Sequence, residues 1–382
     1  SYGSNGNQAI SPYQTLDRLS AVKKYLFGDE ATPVNGVYLP TNGVGNPNLK
    51  WETTNTFNAG LDYSFLNGRL LGSFDFYVSN TKDLLMSRSV PYMNGYRSIM
   101  DNIGSTRNLG LEFVLTSVNI RNKDFEWRTT FNLAWNKDEI TKLADNATQD
   151  LTNKWFVGES SRVYYDYNVV GTWQTNEATW DATKKKYINA DGKEIQKGAV
   201  PGSAKLEDVN GDGVIDSNDK KVIGSKLPSI TSALTNNFAY KNVYASFVLT
   251  GLFGQWRQMH DYNFDRWMPE FNYLSGMNYW TEDNPTNEMT SPVYVPFNKH
   301  GFYKRMNYVH IKNVTLGYRL PKEWANSLGL QSIKCDLSVN NLYTFSNIKN
   351  ALNFDSTQDD EKGAVIGYPT ARSYMFTLNV SF

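Results

Sequence analysis

Cysteine is almost missing from this chain of 382 residues. Cys335 is the only one, which excludes any internal disulfide framework. Histidine is nearly as scarce, and His260, His300 and His310 are widely separated. No imidazole triad for a metal and no nucleophile–histidine pair is legible, so nothing reads as an enzyme. Excess charge of either sign is lacking too. Lys+Arg and Asp+Glu both count 38, a formal net charge of zero. That balance excludes the basic footprint of a nucleic-acid binder and a polybasic membrane anchor. No apolar run approaches the ~20 residues of a spanning helix, and mean hydropathy is −0.52. Helical membrane spans are excluded; strands are not, because the polar face and loops of a barrel lower its average hydropathy. The sequence opens at Ser1 without Met or a signal segment, and is expected to be processed or partial.

What the chain does have is aromatic residues, 14% in all, led by 24 Tyr and 20 Phe. They fall in alternating runs. In the last one, Tyr374, Phe376, Leu378, Val380 and Phe382 share one parity, and Thr377, Asn379 and Ser381 share the other with Met375. Strand side chains alternate between faces, so this run predicts a strand with one apolar and one mostly polar face. Its length of about nine residues suits a tilted membrane strand.

The same pattern recurs upstream. Residues 51–65 alternate and meet Asn67-Gly68, a strong two-residue hairpin signal, before a return run to about Asn80. Further runs lie at about 106–119, 125–136, 230–240, 243–249, 307–320 and 333–340. Within 307–320 the apolar parity shifts between Ile311 and Val314, which predicts a β-bulge. A helical turn is expected at 323–327. Residues 14–50 read as irregular, with Pro33, Pro40 and Pro47. About nine strands are expected, and a strand within 1–12 makes ten.

The connections are sorted by length. Short ones near 67, 122, 241 and 326 alternate with long ones at 84–104, 139–228, 260–306 and 346–368. In an up-and-down meander this puts short turns on one side and long loops on the other, the asymmetry of an outer-membrane barrel. The expected fold is all-β: an antiparallel transmembrane β-barrel arc of nine or ten strands, residues 1–382, with a long outer loop 139–228.

Several strings in order carry a family resemblance. They are Ser1-Tyr2-Gly3-Ser4-Asn5-Gly6-Asn7, Asn46-Pro47-Asn48-Leu49-Lys50-Trp51-Glu52, Asn108-Leu109-Gly110-Leu111-Glu112 and Asp208-Val209-Asn210-Gly211-Asp212-Gly213-Val214-Ile215-Asp216. Ile311-Lys312-Asn313-Val314-Thr315-Leu316-Gly317-Tyr318, Asn341-Leu342-Tyr343-Thr344-Phe345 and Tyr368-Pro369-Thr370-Ala371-Arg372 follow. Together they resemble the SusC/RagA-like TonB-dependent outer-membrane transporters across essentially the whole chain. After Phe345 the sequence departs from the family's Gly-x-Asp-Pro-Glu string. The resemblance implies the C-terminal part of a plugged barrel of about 22 strands. It also implies an N-terminal part holding the plug and the TonB-binding segment, neither present here, and a SusD-like lipoprotein over the long loops. Oligosaccharides or oligopeptides would be the cargo, and the terminal aromatic Phe382 would serve as an assembly signal.

Two loops carry candidate sites. Asp208, Asn210, Asp212, the Val214 carbonyl, Asp216 and Asp219 stand at positions 1, 3, 5, 7, 9 and 12 of an EF-hand-like loop, with Gly213 at position 6, so calcium is a possible ligand. Asp at position 12 replaces the usual bidentate Glu. The plainer reading is a glycine turn decorated with Asx residues. The 260–306 loop holds Tyr262, Trp267, Tyr279 and Trp280 among its aromatics, able to stack on sugars or anchor a lid protein; a small core inside the loop is the plainer reading. The alternative function is a calcium-stabilised surface β-protein acting as a glycan-binding module or adhesin.

Overall fold

In a computed structural model, the chain is described at residues 1–8, 15–17, 20–25, 34–38, 44–91, 93, 98–259, 276–292, 300–348 and 370–382. Ten strands form one antiparallel sheet in chain order. They are β1 (Tyr2–Asn7), β2 (Glu52–Phe65), β3 (Leu70–Ser89), β4 (Ser98–Arg121), β5 (Phe125–Lys142), β6 (Ile230–Tyr240), β7 (Val243–Gln258), β8 (Tyr303–Arg319), β9 (Ser332–Ser346) and β10 (Ser373–Ser381). Neighbours in the sheet are neighbours in sequence, the up-and-down meander that the spacing predicts.

The short turns lie where expected. Leu66, Asn67 and Gly68 all take positive φ at the β2–β3 hairpin. Asn122 caps the β4–β5 turn, its Oδ1 accepting from the Asp124 and Phe125 amides at 3.1 and 2.8 Å. The β8–β9 connection contains the helix Lys322–Ser327. Two expectations need correction. Residues 84–104 are not mainly loop: β3 continues to Ser89 and β4 begins at Ser98. Asn102 holds the two strands there, its side chain donating to the Lys50 and Asp83 carbonyls at 2.9 and 2.6 Å. Residues 14–50 also contain a two-stranded hairpin, Ser20–Tyr25 with Val34–Tyr38. Its prolines fall outside the paired segments, so they did not preclude it.

The chain divides into two compact units, Ser1–Leu115 with Asn132–Arg162, and Thr116–Phe131 with Val163–Phe382. In the first, the polar face of β2 and β3 is laddered by hydroxyl pairs, Thr54 with Thr81 and Thr56 with Ser79, both at 2.9 Å. Tyr77 on β3 lies over Gly110 of β4, where any Cβ would collide with its ring. Its hydroxyl then accepts from Asn136 Nδ2 on β5 at 2.7 Å.

In the second unit the register lines apolar residues into rows. Phe238, Ala245, Leu316, Leu337 and Phe376 are successive partners across five strands. One row away lie Tyr240, Val243, Tyr318, Cys335 and Leu378. Further up come Leu234, Leu249, Ile311 and Tyr343, then Ser232, Gly251, Val309 and Phe345. The predicted bulge in β8 is present: the register slips between Ile311 and Asn313 against β9. It keeps Ile311 and Val314 on the same face although they are three residues apart. On the polar face Tyr244 repeats the arrangement of Tyr77. Its ring covers Gly317 of β8, and its hydroxyl donates to Asp336 Oδ1 on β9.

The connection between β5 and β6 carries its own small sheets. Val163–Tyr167 pairs with Lys220–Ser225, Val169–Thr172 with Ala204–Leu206, and Thr179–Asp181 with Lys186–Ile188. Tyr167, Ala204 and Leu206 form a buried core, joined by Val169, Ile215 and Phe302.

Candidate functional site

Three surfaces carry the chemistry available to this chain. The first is the apolar face of the sheet. Leu316, Leu337, Tyr343, Phe345, Tyr374, Phe376 and Leu378 all present more than half of their surface outward. No protein layer covers them in the described residues. From Cys335 to Phe345 is ten residues of one strand, about 33 Å of length. Tilted as barrel strands are, that spans about 25 Å, the height of a barrel's lipid-facing band. One amide interrupts the rows. Asn236 pairs with Phe247 yet is only 6% exposed. Its Oδ1 accepts from Trp127 Nε1 at 2.8 Å and Thr129 Oγ1 at 2.7 Å, and the Trp127 ring stacks on Phe238 beside it. The indole therefore both satisfies and shelters this amide.

The second surface is the opposite, polar face. Thr315 meets Ser338 at 2.8 Å, and Asn313 donates to Asn340 at 2.8 Å, which in turn donates to Ser373 at 3.2 Å. His310 belongs to this set, its ring nitrogens meeting Thr344 Oγ1 at 2.6 Å and Asn341 Oδ1 at 3.2 Å. In these rungs polar side chains are satisfied by the next strand, which is how a polar face survives without a bonded partner layer.

The third is the insert between β5 and β6 with the segments packed on it. Asp166 ties it to the head of β8, accepting from the Gly301 amide at 3.0 Å and the Tyr303 hydroxyl at 2.7 Å. Beside this contact His300 is buried, 1% exposed. Burial drives its pKa down to about 4, against the opposing pull of Asp166. Glu207 is held below its ordinary pKa by hydrogen bonds from Asn168 and Lys221, with Nζ at 2.9 Å.

The EF-hand-like loop folds on its own amides. Asp208 accepts from the Gly211 and Gly213 amides at 2.7 and 2.8 Å. Asn210 accepts from Asp212, and Asp212 from Val214. Asp219 is wholly buried and closes the loop by accepting from Val209 and Asp216, at 2.9 and 2.8 Å. Asp216 caps the 3-10 turn Ser217–Asp219 through the Asn218 amide. The all-oxygen donor set suits a hard cation. In the described residues, however, no group of three or more His, Cys, Asp or Glu is arranged to hold a metal ion.

Of the four aromatics singled out by sequence, Tyr262 and Trp267 lie outside the described residues. Trp280 is 6% exposed and donates from Nε1 to Gln174 Oε1 at 2.8 Å. Tyr279 packs on the cluster Met259, Met289, Met306 and Ile348. Phe382 is 85% exposed. Sequence reasoning missed Asp166 and the Tyr–Gly contacts, although Gly110 and Gly317 both stand inside quoted motifs. It also missed a cleft of about 310 Å³ lined by residues 168–172, 287, 288, 290 and 302–304.

A single-layer antiparallel meander with an uncovered apolar face and a self-satisfied polar face is the wall of a membrane β-barrel. The profile of the TonB dependent receptor-like β-barrel family matches residues 11–342, and the chain belongs to that family. TonB-dependent receptor P26 of Formosa agariphila is 31% identical over all of this chain and 39% of its own length. TonB-dependent receptor SusC of Bacteroides thetaiotaomicron is 30% identical over 73% of this chain and 27% of its own. Among solved structures, the RagAB peptide transporter superposes over the whole chain and 40% of its own, with a TM-score of 0.75 and 25% identity. The expected SusC/RagA-like kinship and outer-membrane location are thus borne out. The chain spans about 40% of the length of the relatives it matches.

Proposed function

We propose that this chain is the wall of a SusC/RagA-type TonB-dependent importer taking up oligosaccharides or oligopeptides. The uncovered apolar rows from Tyr240 to Phe345 carry the reading. Such a band fits lipid, and an adhesin in water would leave it as an aggregation surface. The wall acts by enclosing and does no covalent chemistry. The edges β1 and β10 each pair on one side only in the sheet, and strands from the N-terminal part of the same transporter would complete them. That part would also bring the plug and the contact with TonB. A SusD-like lipoprotein would sit over the side bearing the long connections. Cells carrying the complete transporter should take up labelled oligosaccharide or oligopeptide in a TonB-dependent way. Equal uptake after its deletion, or recovery of the complete protein from the aqueous fraction without detergent, refutes the proposal.

Calcium at Asp208, Asn210, Asp212, Val214, Asp216 and Asp219 is a secondary reading. The supporting observation is the glycine turn with an all-oxygen set around it. If bound, the ion would stiffen the loop.

A further inference from the structure

The cleft in the insert has a wall made of backbone. Val169–Thr172 pairs with Ala204–Leu206 along one edge in a sheet of only two strands, so no strand lies on its other edge among the described residues. Hydrogen bonds fix which groups point which way. The Asn168 carbonyl accepts from the Glu207 amide at 2.9 Å, and the Trp173 amide donates to the Ser203 carbonyl at 2.9 Å. Both face the partner strand. Alternation, with the register slip between Val169 and Gly171, turns the backbone of Val169 and Thr172 the other way. Thr172 bears this out: its amide meets the Asn287 side-chain oxygen at 3.0 Å, and its carbonyl accepts from Gln174 Nε2 at 2.8 Å. Asn287 thus occupies one rung of a line that a third strand would follow, and Gly171 leaves room for it, since a Cβ there would meet Asn287 Oδ1 at 2.9 Å.

We infer that this edge takes an extended peptide segment by strand addition, with the Val169 amide and carbonyl as the first rung and Asn287 marking the second. Backbone pairing gives such sites their affinity, and alternate side chains settle in flanking pockets. The cleft lining includes apolar side chains for these, Val170, which is 53% exposed, and Phe302. Its two ionic lining residues, Glu288 and Lys304, have opposite signs. With no net charge, the lining gives an anionic sugar no advantage. The inference rests on the importer reading and names its cargo class.

The test uses the full-length transporter in detergent, with an alanine–valine pentapeptide, the same peptide N-methylated at its central residue, and a linear glucan pentasaccharide as probes. The peptide should bind, and N-methylation, which removes a donor but no side chain, should weaken it about tenfold. Val169→Pro deletes an outward-facing amide from an edge strand, where proline is tolerated; it should weaken the peptide about tenfold while the insert keeps its resistance to trypsin. Binding of only the sugar, no peptide binding, or equal binding of both peptides overturns the inference. If Val169→Pro unfolds the insert, the N-methylated peptide alone decides. Uptake by cells separates the two readings: TonB-dependent uptake with no peptide preference leaves the importer standing without this site, and absence of any uptake removes the importer itself.

Discussion

Replacing Gly317 by alanine is the most direct test of how the wall holds its strands in register. A Cβ at Gly317 falls inside the Tyr244 ring and against the Asp336 carboxylate. β7 and β8 are paired on both sides of this point, so the backbone has little freedom to yield, and Tyr244 must swing away. Overpacking of this kind costs about 1–3 kcal/mol. Moving Tyr244 also breaks its bond to Asp336, and hydrogen bonds to charged groups are worth about 1.5–3 kcal/mol. Since one displacement causes both losses, we expect a total of about 2–4 kcal/mol for Gly317→Ala. In a Tyr244→Ala background the same change should cost less than about 1 kcal/mol, because only the Asp336 carboxylate, the end of a rotatable side chain freed from its bond to Tyr244, remains to be displaced. The measurement is urea unfolding of the full transporter in lipid vesicles, read by heat-modifiable migration and tryptophan fluorescence. Additive effects of the two substitutions would refute the reasoning, as would a harmless Gly317→Ala alone. Tyr244→Phe isolates the hydroxyl and should account for the hydrogen-bond share.

Other outcomes follow from the same geometry. Trp127→Ala should expose Asn236 to lipid and cost about 1–3 kcal/mol, measured by the same unfolding; Trp127→His, which keeps a ring donor, should cost less. Asp219→Ala should leave the Val209 and Asp216 amides without their acceptor, destabilise the 208–219 loop by about 2–4 kcal/mol, and speed trypsin cleavage after Lys220 and Lys221. His300 should oppose folding of the β8 head in acid. Its folded pKa of about 4 lies below the unfolded value near 6.5, so its contribution is full above pH 6.5. It is lost as pH falls towards 4, up to about 3 kcal/mol; hydrogen exchange at residues 300–303 should show this, and His300→Leu should flatten the profile. Calcium should raise the melting temperature of the wild type but not of an Asp208→Ala, Asp212→Ala double variant, and an identical shift in both removes calcium from the loop.

Strand parity was the most legible property of this chain because it depends on one number, the two-residue period. The alternation in 51–65 and 374–382, and even the bulge after Ile311, could be read from it directly. Strand ends were less legible. β3 reaches Ser89 and β4 starts at Ser98 because side chains such as Asn102 bind across to Lys50 and Asp83, a long-range fact with no local mark. The functional residues divide the same way. Asp208–Asp219 announced itself by spacing, but Asp166 became visible only when folding brought Gly301 and Tyr303 to it. Trp280 was legible as an aromatic in a loop; its indole's partner, Gln174, lies 106 residues away, and no pattern in the sequence joins them.

The rungs of the polar face between Asn313 and Ser338 have one more consequence. Thr315, Ser338, Asn313 and Asn340 are uncharged, short and already bonded to one another. In the proposed importer, a solute sliding past them would meet low relief and few groups in need of a partner, so each momentary contact would be weak and quickly exchanged. Friction across these four side chains should therefore vary little with the sign of the passenger's charge or with ionic strength. Such a lining would favour release over retention.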